Sequence, residues 1–203
     1  TPLFTPPLDT AVGHERPTVQ LVKVYKNGDT YAFNFDLLDR WIDLAKKKGM
    51  TYFEMSHLYT QWGAYHAPAI AAEVDGNEEK TCGWETDAHG GAYQNFLKQF
   101  LPELIRYIHN RSLEKHVYFH ISDEPRQDNI ESYRQASAFV GSYLEQFPII
   151  DALSDYDFYE QGLVKHPIPG SDCIEPFLDN DVSDLWTYYC VSQYQSVANR
   201  FFV

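Results

Sequence analysis

Short apolar, β-rich runs alternate along this chain with amphipathic helical segments, and that alternation limits the fold more than any other feature. Thr18–Tyr25 (TVQLVKVY) has the β-branched alternation of a strand. Asp36 opens a helix running to Lys48, with Leu37, Leu38, Trp41, Ile42 and Ala45 on one face and Gly49 as its stop. Tyr52–His57 reads as the next strand. Tyr93–Asn110 reads as an amphipathic helix with Phe96, Phe100, Leu101, Leu104, Ile105 and Ile108 on its apolar face, and Pro102 is the place for a kink. Then come a strand at His116–Ser122, a helix from about Asn129 to Phe147, and short strands at Ile150–Ser154, Cys173–Glu175 and Leu185–Cys190. Strands alternating with helices imply a parallel sheet with right-handed crossovers. With Thr1–Phe4 taken as the tail of a strand, about seven strands can be placed, close to the eight of a (β/α)8 barrel. The expected fold class is therefore α/β, a TIM-type (β/α)8 barrel, incomplete in this chain, with strand one partial and strand eight missing. Residues 1–203 form a single barrel segment on this reading. A doubly wound sheet is the alternative, but no Gly-rich phosphate loop follows any strand.

The hexapeptide His120-Ile121-Ser122-Asp123-Glu124-Pro125 stands at the most informative junction of that pattern. It follows the apolar run Val117-Tyr118-Phe119, so adjacent carboxylates fall where a buried strand opens into a loop. In parallel α/β folds that end of the strand delivers side chains to ligand. Neighbouring carboxylates repel, so one tends to hold its proton near neutral pH. An acid beside an ionised carboxylate is what cleavage of a sugar bond requires. Neighbours in an extended strand point to opposite faces, so Asp123 and Glu124 can share a pocket only if the backbone bends between them. Pro125 restricts Glu124 and makes such a bend plausible. The alternative is that one of the two carboxylates caps the following helix or loop.

Composition agrees with a carbohydrate ligand. Aromatics make up 16% of the 203 residues, and many fall in loop-like segments where their rings can stack on the C–H faces of sugars. A Phe- and Tyr-rich core is the plainer account of any single ring. The net charge of −13 repels phosphate backbones and anionic lipid, which argues against nucleic acid and membrane surfaces as partners. No apolar run is long enough to span a bilayer. Cys82, Cys173 and Cys190 are widely spaced, with neither a disulfide framework nor a zinc-ligand pattern. Unpaired cysteines and the lack of a signal peptide in this segment favour a cytoplasmic setting, with the compartment and the oligomeric state left open. No cofactor and no metal site is expected; His57, His120 and Glu54 come from strands without close ligand spacing.

Around the carboxylate pair, other residues are candidates for substrate contact. His57, at the end of the Tyr52–His57 strand, could bind a sugar hydroxyl or be a satisfied core histidine. Trp62 and Trp84, in the long segment Leu58–Gly91, could wall a pocket or simply pack their loop. His120 could support the pair from three residues upstream. Asp155, after the Ile150–Ser154 strand, could hold hydroxyls or brace the acid. Trp186, Tyr188 and Tyr189 lie in the last strand candidate, where alternation lets only one of the tyrosines face the mouth of the sheet. Glu175 is the candidate nucleophile if the enzyme uses a protein carboxylate.

In order along nearly the whole chain, TPLFTPPLDT (Thr1–Thr10), ERPTVQLV (Glu15–Val22), HLYTQWGA (His57–Ala64), FHISDEP (Phe119–Pro125), DALSDYDFY (Asp151–Tyr159), LWTYYC (Leu185–Cys190) and NRF (Asn199–Phe201) resemble the catalytic domain of glycoside hydrolase family 123, also described as domain of unknown function 4091. FHISDEP together with TQWGA carries most of the specificity. The resemblance implies a (β/α)8 barrel behind an N-terminal β-sandwich. The sandwich, the start of strand one and strand eight are not in this sequence, so the chain reads as a segment of a longer protein. It further implies cleavage of terminal β-linked N-acetylgalactosamine from glycans or glycolipids, with retention and with the 2-acetamido oxygen of the substrate attacking C1. On that implication Glu124 is the acid/base and Asp123 accepts a hydrogen bond from the acetamide N–H. Two other readings remain beside it: an enzymatic variant, a retaining glycosidase with Glu124 as acid/base and Glu175 as nucleophile, and, from a different class, a catalytically silent carbohydrate-binding barrel.

Overall fold

The computed structural model describes residues 1–5, 14 and 19–189. Two hairpins form its largest sheet. Strands β1 (Lys23–Asn27) and β2 (Thr30–Asn34) turn at Gly28-Asp29, and β4 (Ile70–Val74) and β5 (Asn77–Cys82) turn at Asp75-Gly76. Asp75 and Gly76 have φ of 49° and 81°, the left-handed pair that a tight hairpin needs and that Asp-Gly supplies at least cost. β1 and β4 join in parallel through Tyr25 and Glu73, which gives a mixed four-stranded sheet in the order β2-β1-β4-β5.

Helix α1 (Asp36–Lys47) has Asp36 and Asp39 in its first turn and Lys46 and Lys47 in its last, each sign at the helix end whose dipole it complements. Gly49, at φ 91°, ends it. Leu38, Ile42 and Ala45 are its buried stripe, whereas Leu37 and Trp41 lie on the flank and are exposed. Helix α2 (Gly91–Asn110) buries Tyr93, Phe96, Leu97, Phe100, Leu101, Leu104 and Ile108, and contains Pro102. Its Phe96 and Phe100 pack on Phe4 with ring centroids 5.4 and 4.8 Å apart, and on Phe33 from β2. This aromatic block anchors the hairpin sheet to the helical layer.

The segment that carries the carboxylates is built differently. Strand β3 (Phe53–Glu54) pairs in parallel with β6 (Val117–Tyr118), and β7 (Ile150–Ala152) pairs in parallel with β8 (His166–Ile168). Single parallel bridges link Phe119 to Ile149 and Gly170 to Tyr188. Helix α3 (Ile130–Leu144), entered through a 3-10 turn at Gln127–Asn129, connects β6 to β7, and short helices α4 (Asp157–Glu160) and α5 (Glu175–Asp179) follow.

These pairings correct the expected fold class. Among the described residues the strands form a mixed sheet and small parallel sheets with no barrel closure, so the (β/α)8 barrel is not what this chain forms. The parallel strands are two or three residues long, and Pro148, Pro167 and Pro169 remove backbone donors beside them. The largest sheet comes instead from hairpins inside Leu58–Gly91 and after Asn27, which the strand–helix rhythm does not register. Cys173–Glu175 is not a strand but the approach to α5, where Pro176 suits the first helical turn. Leu185–Cys190 contributes only the bridge at Tyr188, with Cys190 outside the described residues.

Candidate active site

The site grows from the continuation of β3 alongside β6. Met55 N donates to Tyr118 O (2.8 Å), Leu58 N to His120 O (3.4 Å) and Tyr59 N to Ile121 O (2.9 Å). The two chains stay in step after regular strand ends: Ser122 Oγ donates to Thr60 O at 2.7 Å and Trp62 N to Asp123 O at 2.9 Å. The backbone of Asp123 is therefore fixed by its neighbour rather than left in a free loop. Immediately afterwards Glu124 takes a φ of 45°. A left-handed glutamate is sterically costly, and such conformations persist where the surrounding structure imposes them, often at functional sites. It breaks the strand alternation directly after Asp123.

Each carboxylate has its own partner. Gln61 Nε2 donates to Asp123 Oδ2 at 2.9 Å. Tyr188 donates its hydroxyl to Glu124 Oε1 at 3.3 Å, a contact that passes over β7 and β8 to reach the last parallel bridge. Both acids are partly exposed, so they remain open to solvent and ligand.

The loops around the pair are held tightly. Trp62, Gly63 and Ala64 all have positive φ, at 60°, 112° and 61°. At Gly63 a Cβ would stand 2.5 Å from Asn129 Cβ, so glycine is demanded by both conformation and space. Asn129 is buried and its Oδ1 accepts the Arg126 N–H at 2.8 Å. Asp155 Oδ2 accepts the Gln127 N–H at 2.9 Å. The turn that follows Pro125 is thus braced from α3 and from the end of β7.

Beside Asp123 lies a polar chain centred on the buried His120 and reaching the surface at Glu54. His120 is 5% exposed, with Nε2 2.6 Å from Glu54 Oε1 in an ion pair too far out of line for a hydrogen bond. Its Nδ1 is 3.1 Å from Asp151 Oδ1, and Tyr133 donates its hydroxyl to the other oxygen of Asp151. Burial works against charge on His120, but Asp151 and Glu54 outweigh it and raise its pKa to about 9. Burial raises Asp151, with His120 and Tyr133 opposing that rise, and the contact with His120 draws Glu54 down. His57 packs edge-on against His120 with centroids 4.7 Å apart. Burial, followed by the His120 charge, pushes the His57 pKa down to about 3. His57 Nε2 is 3.9 Å from Asp123 Oδ1; with a neutral ring at that distance, the contact is not an ion pair.

Of the residues singled out from sequence, Asp123, His57 and His120 lie against one another in series, Glu124 meets Tyr188, and the Trp62 backbone holds that of Asp123. Trp62 takes part through its backbone while its side chain is exposed. Asp155 reaches the site by bracing its loop. Trp84 is buried against His66, with centroids 5.6 Å apart. Glu175 is exposed in the first turn of α5. Trp186 packs on Tyr118 and lines a groove with Pro148, Ile150 and His166, and Tyr189 is exposed. The sequence reading did not single out Gln61, Tyr133, Gly63 or Asn129. Gln61 lies in the TQWGA block already noted, next to Trp62, and that position was its only signal. No group of three His, Cys, Asp or Glu side chains among the described residues is arranged to hold a metal ion, and none of their helices is long and apolar enough to cross a membrane.

The chain belongs to the glycoside hydrolase 123 family, matching the model of its catalytic domain over residues 1–203. Among solved structures it is similar in fold to a family 123 glycoside hydrolase from Clostridium perfringens, studied for glycolipid glycan hydrolysis, with a TM-score of 0.59 and 18% identity over 87% of this chain. The chain covers 33% of that relative's length. No curated protein matches the sequence.

Proposed function

We propose that this chain carries the catalytic residues of a retaining glycosidase that removes terminal β-linked N-acetylgalactosamine from glycans or glycolipids by substrate-assisted catalysis. The observation that carries the reading is the left-handed Glu124 directly after a backbone-anchored Asp123, in a member of the glycoside hydrolase 123 family. Glu124 gives its proton to the departing glycosidic oxygen as the acetamide oxygen attacks C1. The C1–O bond to the aglycone breaks and an oxazolinium ring forms. Water then attacks C1, the ring opens, and Glu124 takes the water's proton. Asp123 accepts the acetamide N–H, which aligns a weak nucleophile and offsets the positive charge that develops on it. Gln61 holds Asp123 Oδ2 and so helps to fix the carboxylate that would meet the acetamide. The Clostridium perfringens relative's work on glycolipid glycans supports the substrate class.

Hydrolysis by the full-length protein of aryl β-glycosides of GalNAc, GlcNAc, galactose and glucose tests the reading. Turnover restricted to the 2-acetamido sugars, greatest for GalNAc, is expected; comparable turnover of the galactoside overturns the acetamide role. Absence of turnover on all four favours a binding protein.

A further inference from the structure

Beneath the carboxylate pair, Glu54, His120 and Asp151 form a carboxylate–imidazole–carboxylate chain with Tyr133 at its far end, and the edge of His120 faces His57. We propose that this chain is a positioning device: it keeps His57 a neutral donor aimed at Asp123, so that Asp123 meets the substrate acetamide with its full negative charge.

His120 has a carboxylate oxygen within 3.1 Å of each ring nitrogen, so negative groups face the ring from both sides and favour its doubly protonated, charged form. Asp151 is fully buried, and removing a proton from His120 would leave its charge to neutral donors alone: the His120 Nδ1–H, the Tyr133 hydroxyl and the nearby backbone. A cation is thereby fixed against the largely buried ring of His57. The charged or titratable side chains facing His57 are His120, Glu54 and Asp123. Burial opposes its protonation most, the His120 cation adds to that, and Glu54 only partly offsets them, so the ring is neutral.

Which nitrogen carries the remaining proton follows from partners. His57 Nδ1 is buried without one, so a proton there would be an orphaned donor. The proton belongs on Nε2, the nitrogen nearer Asp123. A neutral N–H can steer a carboxylate without cancelling its charge, whereas an imidazolium would pair with it. Because Asp123 is needed to balance an oxazolinium, a pre-formed ion pair with His57 would weaken it where the positive charge develops. At 3.9 Å the contact is open and closes when the acetamide orders the carboxylate.

The proposal rests on the substrate-assisted reading above, and its test separates the two. Neutron diffraction from crystals of the full-length protein at about pH 6.5, where an unperturbed histidine is half protonated, should show protons on both nitrogens of His120 and on Nε2 alone of His57. In parallel, kcat for aryl β-GalNAc is followed against pH for the wild type and for His120→Gln. Removing the fixed cation should move the acid limb of kcat upward by about one pH unit, with little change in KM. A doubly protonated His57, a neutral His120, or a folded His120→Gln enzyme with the wild-type profile overturns the proposal. If the substituted protein does not fold, the neutron map decides; if the wild type hydrolyses none of the N-acetylhexosaminides, the functional reading falls while the map still reports the protonation pattern.

Discussion

Four carboxylates stand within two small regions of this molecule and meet different fates. Asp123 and Glu124 are partly exposed, each with a neutral hydrogen-bonding partner, Gln61 or Tyr188. Glu54 and Asp151 flank the buried imidazole of His120, and Asp151 has no exposed surface. Of the second pair only Asp151 is withdrawn from solvent, while Glu54 is exposed and meets His120 from the surface side. On the proposed function, the first pair needs the freedom to take up a ligand, and the fixed charges around His120 supply part of the field in which it would act.

The largest expected break in that contrast comes from Glu124→Gln. It should lower kcat by about 10²–10⁴-fold on natural glycans with poor leaving groups and distinctly less on activated aryl glycosides, which need little protonation. Steady-state rates on both substrate types check this; equal losses argue against an acid role. Asp123→Asn comes next, with a loss of about 10²–10³-fold in kcat and an unchanged unfolding midpoint. A glycosyl azide of inverted configuration formed by this variant in azide would point to a protein nucleophile instead.

The chain around His120 should also reveal itself in stability. His120 has its pKa raised from 6.5 to about 9, so its contribution is complete below pH 6.5 and is lost as pH rises through 9, amounting to roughly 3 kcal/mol at most. His57 has its pKa lowered to about 3, so the unfolded chain takes a proton that the folded one refuses, and stability falls as pH drops below 6.5. These two groups together place a maximum near pH 6.5, which denaturant titrations across pH 4–10 would detect; a curve still rising at pH 9 contradicts the charged His120. Gly63→Ala is the mildest of the set, costing roughly 2 kcal/mol through the positive φ and the collision with Asn129. Thermal melts compared with Gly141→Ala, where no neighbour lies within 4 Å, isolate that cost.

What the sequence made legible follows the same division. The long periodic helices α1, α2 and α3 lie where the apolar spacing put them, because an amphipathic stripe repeats over many turns. The barrel expectation failed on the sheets. Asp75-Gly76 is a strong hairpin signal, but its strands carry Glu73, Glu78, Glu79 and Lys80 and show no apolar alternation, so Leu58–Gly91 read as loop. Strands of two or three residues leave too little pattern to tell their partners, and a rhythm of elements does not state whether a sheet closes. At the site, Asp123 and Glu124 were visible as adjacent acids after an apolar run. The link between His120 and Asp151, 31 residues apart, exists only in the folded chain, as does the left-handed turn at Glu124.

The most direct test of the account replaces the substrate's nucleophile rather than a residue of the protein. Aryl β-GalNAc substrates bearing mono-, di- and trifluoroacetamido groups weaken the carbonyl oxygen stepwise while leaving the ring and leaving group unchanged. With the full-length protein, a steep fall in kcat/KM with each fluorine and retention of configuration are the predicted results. A rate indifferent to fluorination would contradict acetamide participation and with it the role assigned to Asp123.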